Sequence, residues 1–220
     1  MRPPIEEEIE AAEVEVDDGQ QTAVMLVSTR LAGNAVIRVV NRCNDAQESQ
    51  NLDLSECQLM QIPDAIYLLM QNTQLVTCDL SNNVISKLPV KFTERFPSIT
   101  GKYISCLDLE LNLSHNQISK LPDQLSGMKN LKTLNISYNS FVELPEPVAN
   151  LPELTTLIAN NNFIIDVNVR ILESCLKNLK EVDLKDNPLN TSTVDALEQE
   201  LPFRVMFTPP TDEDWRDLDN

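Results

Sequence analysis

The sequence predicts an α/β solenoid: a right-handed, curved arc with a parallel sheet on the concave side and short helices or irregular segments on the convex side. The clearest unit is the stretch 131–145, LKTLNISYNSFVELP. Its apolar residues follow neither the alternation of a strand nor the period of a helix. The frame recurs along the chain, and an aromatic content of 5% indicates an aliphatic core that stacked units share.

Six copies of this frame are in register, each with a leucine-rich strand followed by a small polar residue at a tight bend. The bend residues are Cys57, Asn83, Asn116, Asn139, Asn162 and Asn187. This pattern is typical of leucine-rich repeats. One copy offers about six aliphatic side chains at roughly 1.5–3 kcal/mol each, while ordering its backbone costs about 1–2 kcal/mol per residue. Each copy must therefore stack on its neighbours.

The bend residue has a predicted structural role. A buried asparagine amide can bond to backbone groups of the bend that would otherwise have no partner. Cys57, which occupies this position in the first copy, can fill it as a small buried residue with a weak S–H donor.

The chain is predicted to consist of one repeat domain between two acidic ends. The predicted parts are a disordered tail (1–30), a repeat domain (31–208) and a second disordered tail (209–220). Within the domain we expect an N-terminal capping helix (34–44, with Asn34 as N-cap), six repeats (about 50–190) and a C-terminal cap (191–208).

One interval between bends is 33 residues long and contains the insertion 101–109, GKYISCLDL. Three interpretations remain open: a convex loop, a second strand register that uses Leu107 and Leu109, or a retained intron. The last arises because Gly-Lys-Tyr can be encoded by GGTAAGTAT, a splice-donor-like sequence. Transcript sequencing across this junction distinguishes the third interpretation from the other two.

Charge and cysteine usage restrict the class of partner. The net charge is −17, with eight acids in residues 1–18 and five in residues 211–220. This charge disfavours nucleic acid and anionic membranes. The five cysteines show no clustered cap framework, which favours reduced thiols. With no recognisable signal peptide or membrane-spanning stretch, we expect a cytoplasmic protein, with a nuclear location possible.

Candidate binding residues are the exposed strand positions that flank the inward leucines, together with two rings just past the strands. They are Asp53, Asp79, Asn112, His115, Asn135, Tyr138, Ile158 and Asp183. An adjacent column contains Asn51, Thr77, Glu110, Thr133, Thr156 and Glu181. No catalytic, cofactor or metal site is expected, because the sole histidine occupies a variable repeat position and no cysteine pair has metal-ligand spacing.

Four stretches carry a family resemblance. They are AVIRVVNRC, NLDLSECQLMQIPDAIYLLM, LPVKFTERFPSIT and VDLKDNPLN. They resemble the leucine-rich repeat-containing protein 20 family, an intracellular family of the LxxLPxx type, over residues 34–208 apart from 101–109. The resemblance implies a small intracellular repeat protein and brings no catalytic or ligand-binding residues.

Two functions from different classes follow. The first is a non-catalytic protein–protein interaction module, a monomeric scaffold or regulator that binds an unknown protein along the concave face. The alternative is an acidic nuclear repeat protein that binds basic proteins such as histones, for which the acidic tails would be essential.

Overall fold

The computed structural model describes residues 20–71, 73–99, 109–175 and 177–209. The chain divides into two units, residues 1–36 and 37–220. The described part of the first unit is the beginning of helix α1 (Gln20–Ser49). The repeats belong to the second unit, and most of both predicted acidic tails lies outside the described residues.

In the described part of the chain, seven strands form one parallel sheet in which the spatial order follows the chain. The strands are β1 (Asn51–Asp53), β2 (Thr77–Asp79), β3 (Leu109–Asn112), β4 (Leu131–Asn135), β5 (Thr156–Ile158), β6 (Glu181–Asp183) and β7 (Arg204–Met206). The sheet is not closed, since β1 and β7 are its edges. This architecture confirms the predicted α/β leucine-rich-repeat solenoid.

Short helical segments connect successive strands. They are α2 (Ala65–Leu69), α3 (Val90–Ile99), a 3₁₀ helix (Asp123–Gly127), α4 (Glu146–Ala149), α5 (Val169–Cys175) and α6 (Thr191–Leu197). Pro122 and Pro145 immediately precede the 3₁₀ helix and α4. Proline suits a helix start because its fixed φ fits there and its missing N–H needs no partner.

Inward strand residues form continuous buried rows through the stack. One row pairs across neighbouring strands and consists of Leu52, Cys78, Leu111, Leu134, Leu157 and Val182. A second row, also fully buried, consists of Leu54, Leu80, Leu113, Ile136, Ala159 and Leu184. Because each repeat covers the apolar side of the next, the core is shared rather than divided among the units.

The bend asparagines join each repeat to the one before it. In Asn139, Nδ2 donates to the carbonyl oxygens of Leu113 at 2.9 Å, Ile136 at 3.1 Å and Ser137 at 3.0 Å. Its Oδ1 accepts from the backbone N–H of Ile118 at 2.9 Å. Leu113 and Ile118 belong to the preceding repeat. Asn83, Asn116, Asn162 and Asn187 make equivalent bonds.

The first repeat differs because no repeat precedes it. The buried residues Cys43 and Ala46 of α1 belong to the same core as Cys57, and the backbone groups that an asparagine would bond in a preceding repeat do not exist. A small side chain therefore suits this position better than an amide. Burial raises the pKa of the Cys43 thiol to about 11 and also raises that of Cys57 and Cys78. All three are free thiols.

Helix α1 corrects two predicted boundaries. It runs from Gln20 to Ser49, whereas the sequence predicted a capping helix at 34–44 and a disordered tail as far as residue 30. The acidic run ends at Asp18, and no glycine or proline lies between Gly19 and Gly33. Without a helix-breaking residue there, the helix includes residues 20–30 of the predicted tail and places Asn34 in its interior.

Leu109 corrects the predicted insertion. It is the first residue of β3 and is 3% exposed, and it pairs with Leu131 before a register irregularity between Leu109 and Glu110. It therefore belongs to the core of the repeat rather than to the insertion. Residues 101–108 lie outside the described residues.

Candidate functional site

The parallel register brings six of the predicted site residues into one row. Residues at equivalent positions pair across β1 to β6, and they are Asp53, Asp79, Asn112, Asn135, Ile158 and Asp183. We call this row the strand column. Met206 of β7 extends it past Asp183. The predicted column does not include Met206, because β7 lacks the repeat motif.

The polar members of the strand column share a second role that sequence reasoning missed. In each, Oδ1 accepts a hydrogen bond from the backbone N–H two residues later, as Asp79 does from Ser81 at 2.8 Å and Asn135 from Ser137 at 3.0 Å. Asn112 also donates from Nδ2 to Asp79 Oδ2 at 3.1 Å. These bonds fix the side chains at the strand ends, so the column presents oriented polar atoms.

Asp53 is partly neutralised within the molecule. Arg42 of α1 lies 3.2 Å from Asp53 Oδ1 and also donates to the Ser55 carbonyl oxygen at 2.6 Å. Partial burial raises the pKa of Asp53, but the hydrogen bonds from Ser55 and the Arg42 charge outweigh it, so the pKa lies below its ordinary value. Asp53 therefore links α1 to the first repeat as well as belonging to the column.

A shallow cavity of about 350 Å³ brings together the middle of the strand column. Asp79, Asn112, Asn135 and Ile158 line it, with Glu110 from the adjacent column. Asp53 and Asp183 do not line it. The cavity lining is therefore mixed, with carboxylates at Asp79 and Glu110 and aliphatic side chains at Leu111 and Ile158.

His115 and Tyr138 lie at the bends after β3 and β4, and their rings stack. The ring centroids are 4.0 Å apart and the planes differ by 12°. Both residues have a positive φ, 53° for His115 and 51° for Tyr138, as do Asn82 and Asn161 at equivalent bends. Tyr138 is 46% exposed. The pair forms an exposed aromatic surface next to the column.

The described residues contain no cluster of three or more His, Cys, Asp or Glu side chains that could hold a metal ion. Within the same part of the chain, no helix is both long and apolar enough to cross a membrane.

Exposed apolar residues after two neighbouring bends were also missed. Val142 is 58% exposed and Ile165 is 51% exposed, and the Ile165 N–H donates to the Val142 carbonyl oxygen at 3.3 Å. In most other copies, the residue one place or three places after the bend residue is polar. The repeat motif alone therefore predicts a polar, solvent-exposed surface at these positions. The sequence feature that could have revealed these exposed residues is the apolar run Phe163-Ile164-Ile165. In this run only the middle residue, Ile164, is buried, and the other two are exposed.

Comparison with known proteins supports the repeat assignment. A family model described as Leucine Rich repeats (2 copies) matches residues 109–150. Leucine-rich repeat-containing protein 20 from Homo sapiens is 34% identical over 104 residues, covering 46% of this chain and 52% of that protein. The Mus musculus protein is 31% identical over 105 residues, with the same coverage. The chain thus spans about half the length of the curated relatives it matches.

A solved structure supports the fold alone. The leucine-rich repeat domain of APL1B has a TM-score of 0.52 and 17% identity, and the match covers 81% of this chain and 44% of that one. The predicted resemblance to the leucine-rich repeat-containing protein 20 family is confirmed over about half the chain. The family-model match and the two curated relatives support a protein–protein interaction module and give no support to the alternative of a nuclear histone-binding protein.

Proposed function

We propose that this chain, which folds as a leucine-rich-repeat solenoid, is a non-catalytic scaffold or regulator that binds a protein partner along its exposed sheet face. This face is the one predicted to be concave, and it carries the strand column. Stacked repeats commonly use such extended faces for binding.

The observation that carries this proposal is the oriented polar surface around the cavity on β2 to β5. Asp79 and Asn112 are fixed by hydrogen bonds within the protein, so binding them costs little side-chain entropy. Glu110 and Asp79 favour a partner with basic or N–H donor groups. Ile158 offers an apolar contact, and Tyr138 belongs to a residue type that often contributes strongly at interfaces.

The chemistry of the described residues favours binding over catalysis. The thiols of Cys43, Cys57 and Cys78 are buried, and burial raises their pKa, so little nucleophilic thiolate exists near neutral pH. His115 stacks on Tyr138 at a solvent-exposed bend. The same free thiols support a reducing compartment, and we propose the cytoplasm.

Charge reversal on the sheet face tests the proposal. Glu110 is exposed and lines the cavity, so Glu110→Lys should change the surface and leave the fold intact. The matched control is Glu153→Lys, which makes the same charge change at an exposed residue outside the sheet. Quantitative affinity purification from cells compares the two variants with the unmodified chain, and circular dichroism checks that each is folded.

We expect Glu110→Lys, and independently Ile158→Asp, to reduce recovery of specific partners by about tenfold, a loss of about 1.4 kcal/mol in binding free energy. Glu153→Lys should retain them. If both sheet-face variants are folded and recover the same partners as the unmodified chain, the sheet face is not the binding surface.

A further inference from the structure

A second concave surface lies on the helical side of the repeats, away from the strand column. It is a groove of about 380 Å³ between α4 and α5, which we call the α4–α5 groove. Its apolar lining includes Leu144, Ala149, Ile171 and Leu172. Ile171 is 45% exposed although it is aliphatic, so the groove presents apolar surface to solvent.

Three carboxylates, from Glu143, Glu146 and Asp166, line the same groove. Glu143 and Asp166 are paired in an isolated parallel β-bridge, and both side chains are exposed. The three carboxylates have no ion-pair partner among the described residues. Asp166 Oδ1 accepts a hydrogen bond from Thr193 Oγ1 at 2.9 Å. A cationic side chain placed in the groove would therefore find carboxylates that no described basic residue already neutralises.

The acidic surface continues past the groove. A neighbouring depression of about 210 Å³ shares Glu143 and Glu146 and adds Asp123, with Lys120 as its basic residue. A bound chain that lies along both depressions would therefore meet four carboxylates and one ammonium group. The acidic surface is therefore long enough to contact more than one side chain of a bound peptide.

We propose that the α4–α5 groove binds a basic segment of a partner protein, which places a branched aliphatic side chain on the apolar floor and Lys or Arg beside the carboxylates. Charge complementarity selects this occupant. The chain's own ends are acidic, with eight acids in residues 1–18 and five in residues 211–220, and a second copy carries a net charge of −17. The chain's own ends and a second copy are therefore negatively charged, as the groove is, and are disfavoured as occupants.

The probe is a short fluorescein-labelled peptide that alternates Lys and Leu, titrated against the full chain by fluorescence anisotropy. One comparison peptide replaces Leu with Ser, and another replaces Lys with Glu. We expect the Lys/Leu peptide to bind at least about tenfold more tightly than either, because both the charge and the aliphatic side chain contribute. Added salt should weaken its binding, since the carboxylates are exposed.

Matched variants locate the binding site. Glu143→Lys and Ile171→Ser should each weaken the Lys/Leu peptide about tenfold, and Glu153→Lys should leave its affinity unchanged. Methyl NMR of the full chain should show shifts at Leu144, Ala149 and Ile171. These shifts are independent of the sheet-face proposal, which concerns Ile158.

Three outcomes would overturn the proposal. Equal affinity of the Ser-containing peptide and the Lys/Leu peptide would show that the apolar floor is not engaged. Equal weakening by Glu143→Lys and Glu153→Lys would reveal a diffuse charge effect. Methyl shifts confined to Ile158 would place the peptide on the sheet face, which contradicts this inference and leaves the proposed function standing.

Discussion

Replacing one bend asparagine should destabilise the whole stack. In Asn139→Ala, the four hydrogen bonds that Asn139 makes at 2.9–3.1 Å are lost. At about 0.5–1.5 kcal/mol net for each bond, the summed loss is about 2–6 kcal/mol. We expect about 3 kcal/mol, in the lower half of this range, because the two Nδ2 hydrogens are shared among three carbonyl acceptors. Two of these bonds join neighbouring repeats, so the loss should weaken their interface as well as the bend.

Urea unfolding measures this loss. With a slope of about 2 kcal/mol per molar urea, the midpoint should fall by about 1.5 M. Circular dichroism is the suitable probe, because the single tryptophan, Trp215, lies outside the described residues. The matched control is Asn150→Ala, at an exposed residue, which should change stability by no more than about 0.5 kcal/mol.

A loss below about 1 kcal/mol for Asn139→Ala, with an unchanged unfolding slope, would refute the reasoning. It would mean that water or rearranged backbone replaces the amide at little cost. A similar loss in Asn150→Ala would also refute it, since the effect would then not depend on the buried hydrogen bonds.

Three further predictions concern the N-terminal end of the repeat domain. Cys57→Asn should lower the free energy of unfolding by about 1–3 kcal/mol in urea titrations, because no preceding repeat supplies partners for the buried amide. Tyr67→Phe should raise it by about 1 kcal/mol in the same assay, because the buried Tyr67 hydroxyl has no hydrogen-bond partner among the described residues. With serine at the two cysteines whose side chains are not described, Cys43 and Cys78 should react with a disulfide reagent at pH 8 only after unfolding, since burial raises their pKa.

Each of these predictions has a contradicting result. Unchanged stability in Cys57→Asn would show that α1 supplies partners for the amide. Destabilisation by Tyr67→Phe would show that the hydroxyl is bonded in solution. Rapid reaction of the native thiols would mean that they are accessible.

The raised pKa of Cys43 also predicts a pH dependence of stability. The contribution of Cys43 to the free energy of unfolding should be fully present below the pKa of the unfolded thiol, near 9.0, and should be lost as the pH rises toward about 11.

The repeat motif was sufficient to predict the fold because its inward residues also determine the strand register. Leu134 and Leu157 can both be buried only if β4 and β5 align at those positions, and the same alignment places Asn135 beside Ile158. The composition of the strand column could therefore be predicted from the sequence. Helix α1 could not be delimited in this way, because the cap signal at Asn34 lies inside it.

Contacts between residues outside the motif could not be predicted. The pairing of Arg42 with Asp53 depends on how α1 packs against β1, and the motif carries no information about that packing. The α4–α5 groove depends on the spacing of two helices whose sequences differ from copy to copy. Leu109 was assigned to the insertion because the register irregularity beside it disrupts the repeat frame.

The direction of the asparagine bonds has a consequence for biosynthesis. Asn139 and Asn162 each reach back to carbonyl and N–H groups of the repeat made earlier. During translation, the most recently emerged unit therefore keeps unsatisfied backbone groups until its successor leaves the ribosome. A pause in elongation would leave one such unit incomplete at the growing end, whereas the units before it would already be closed.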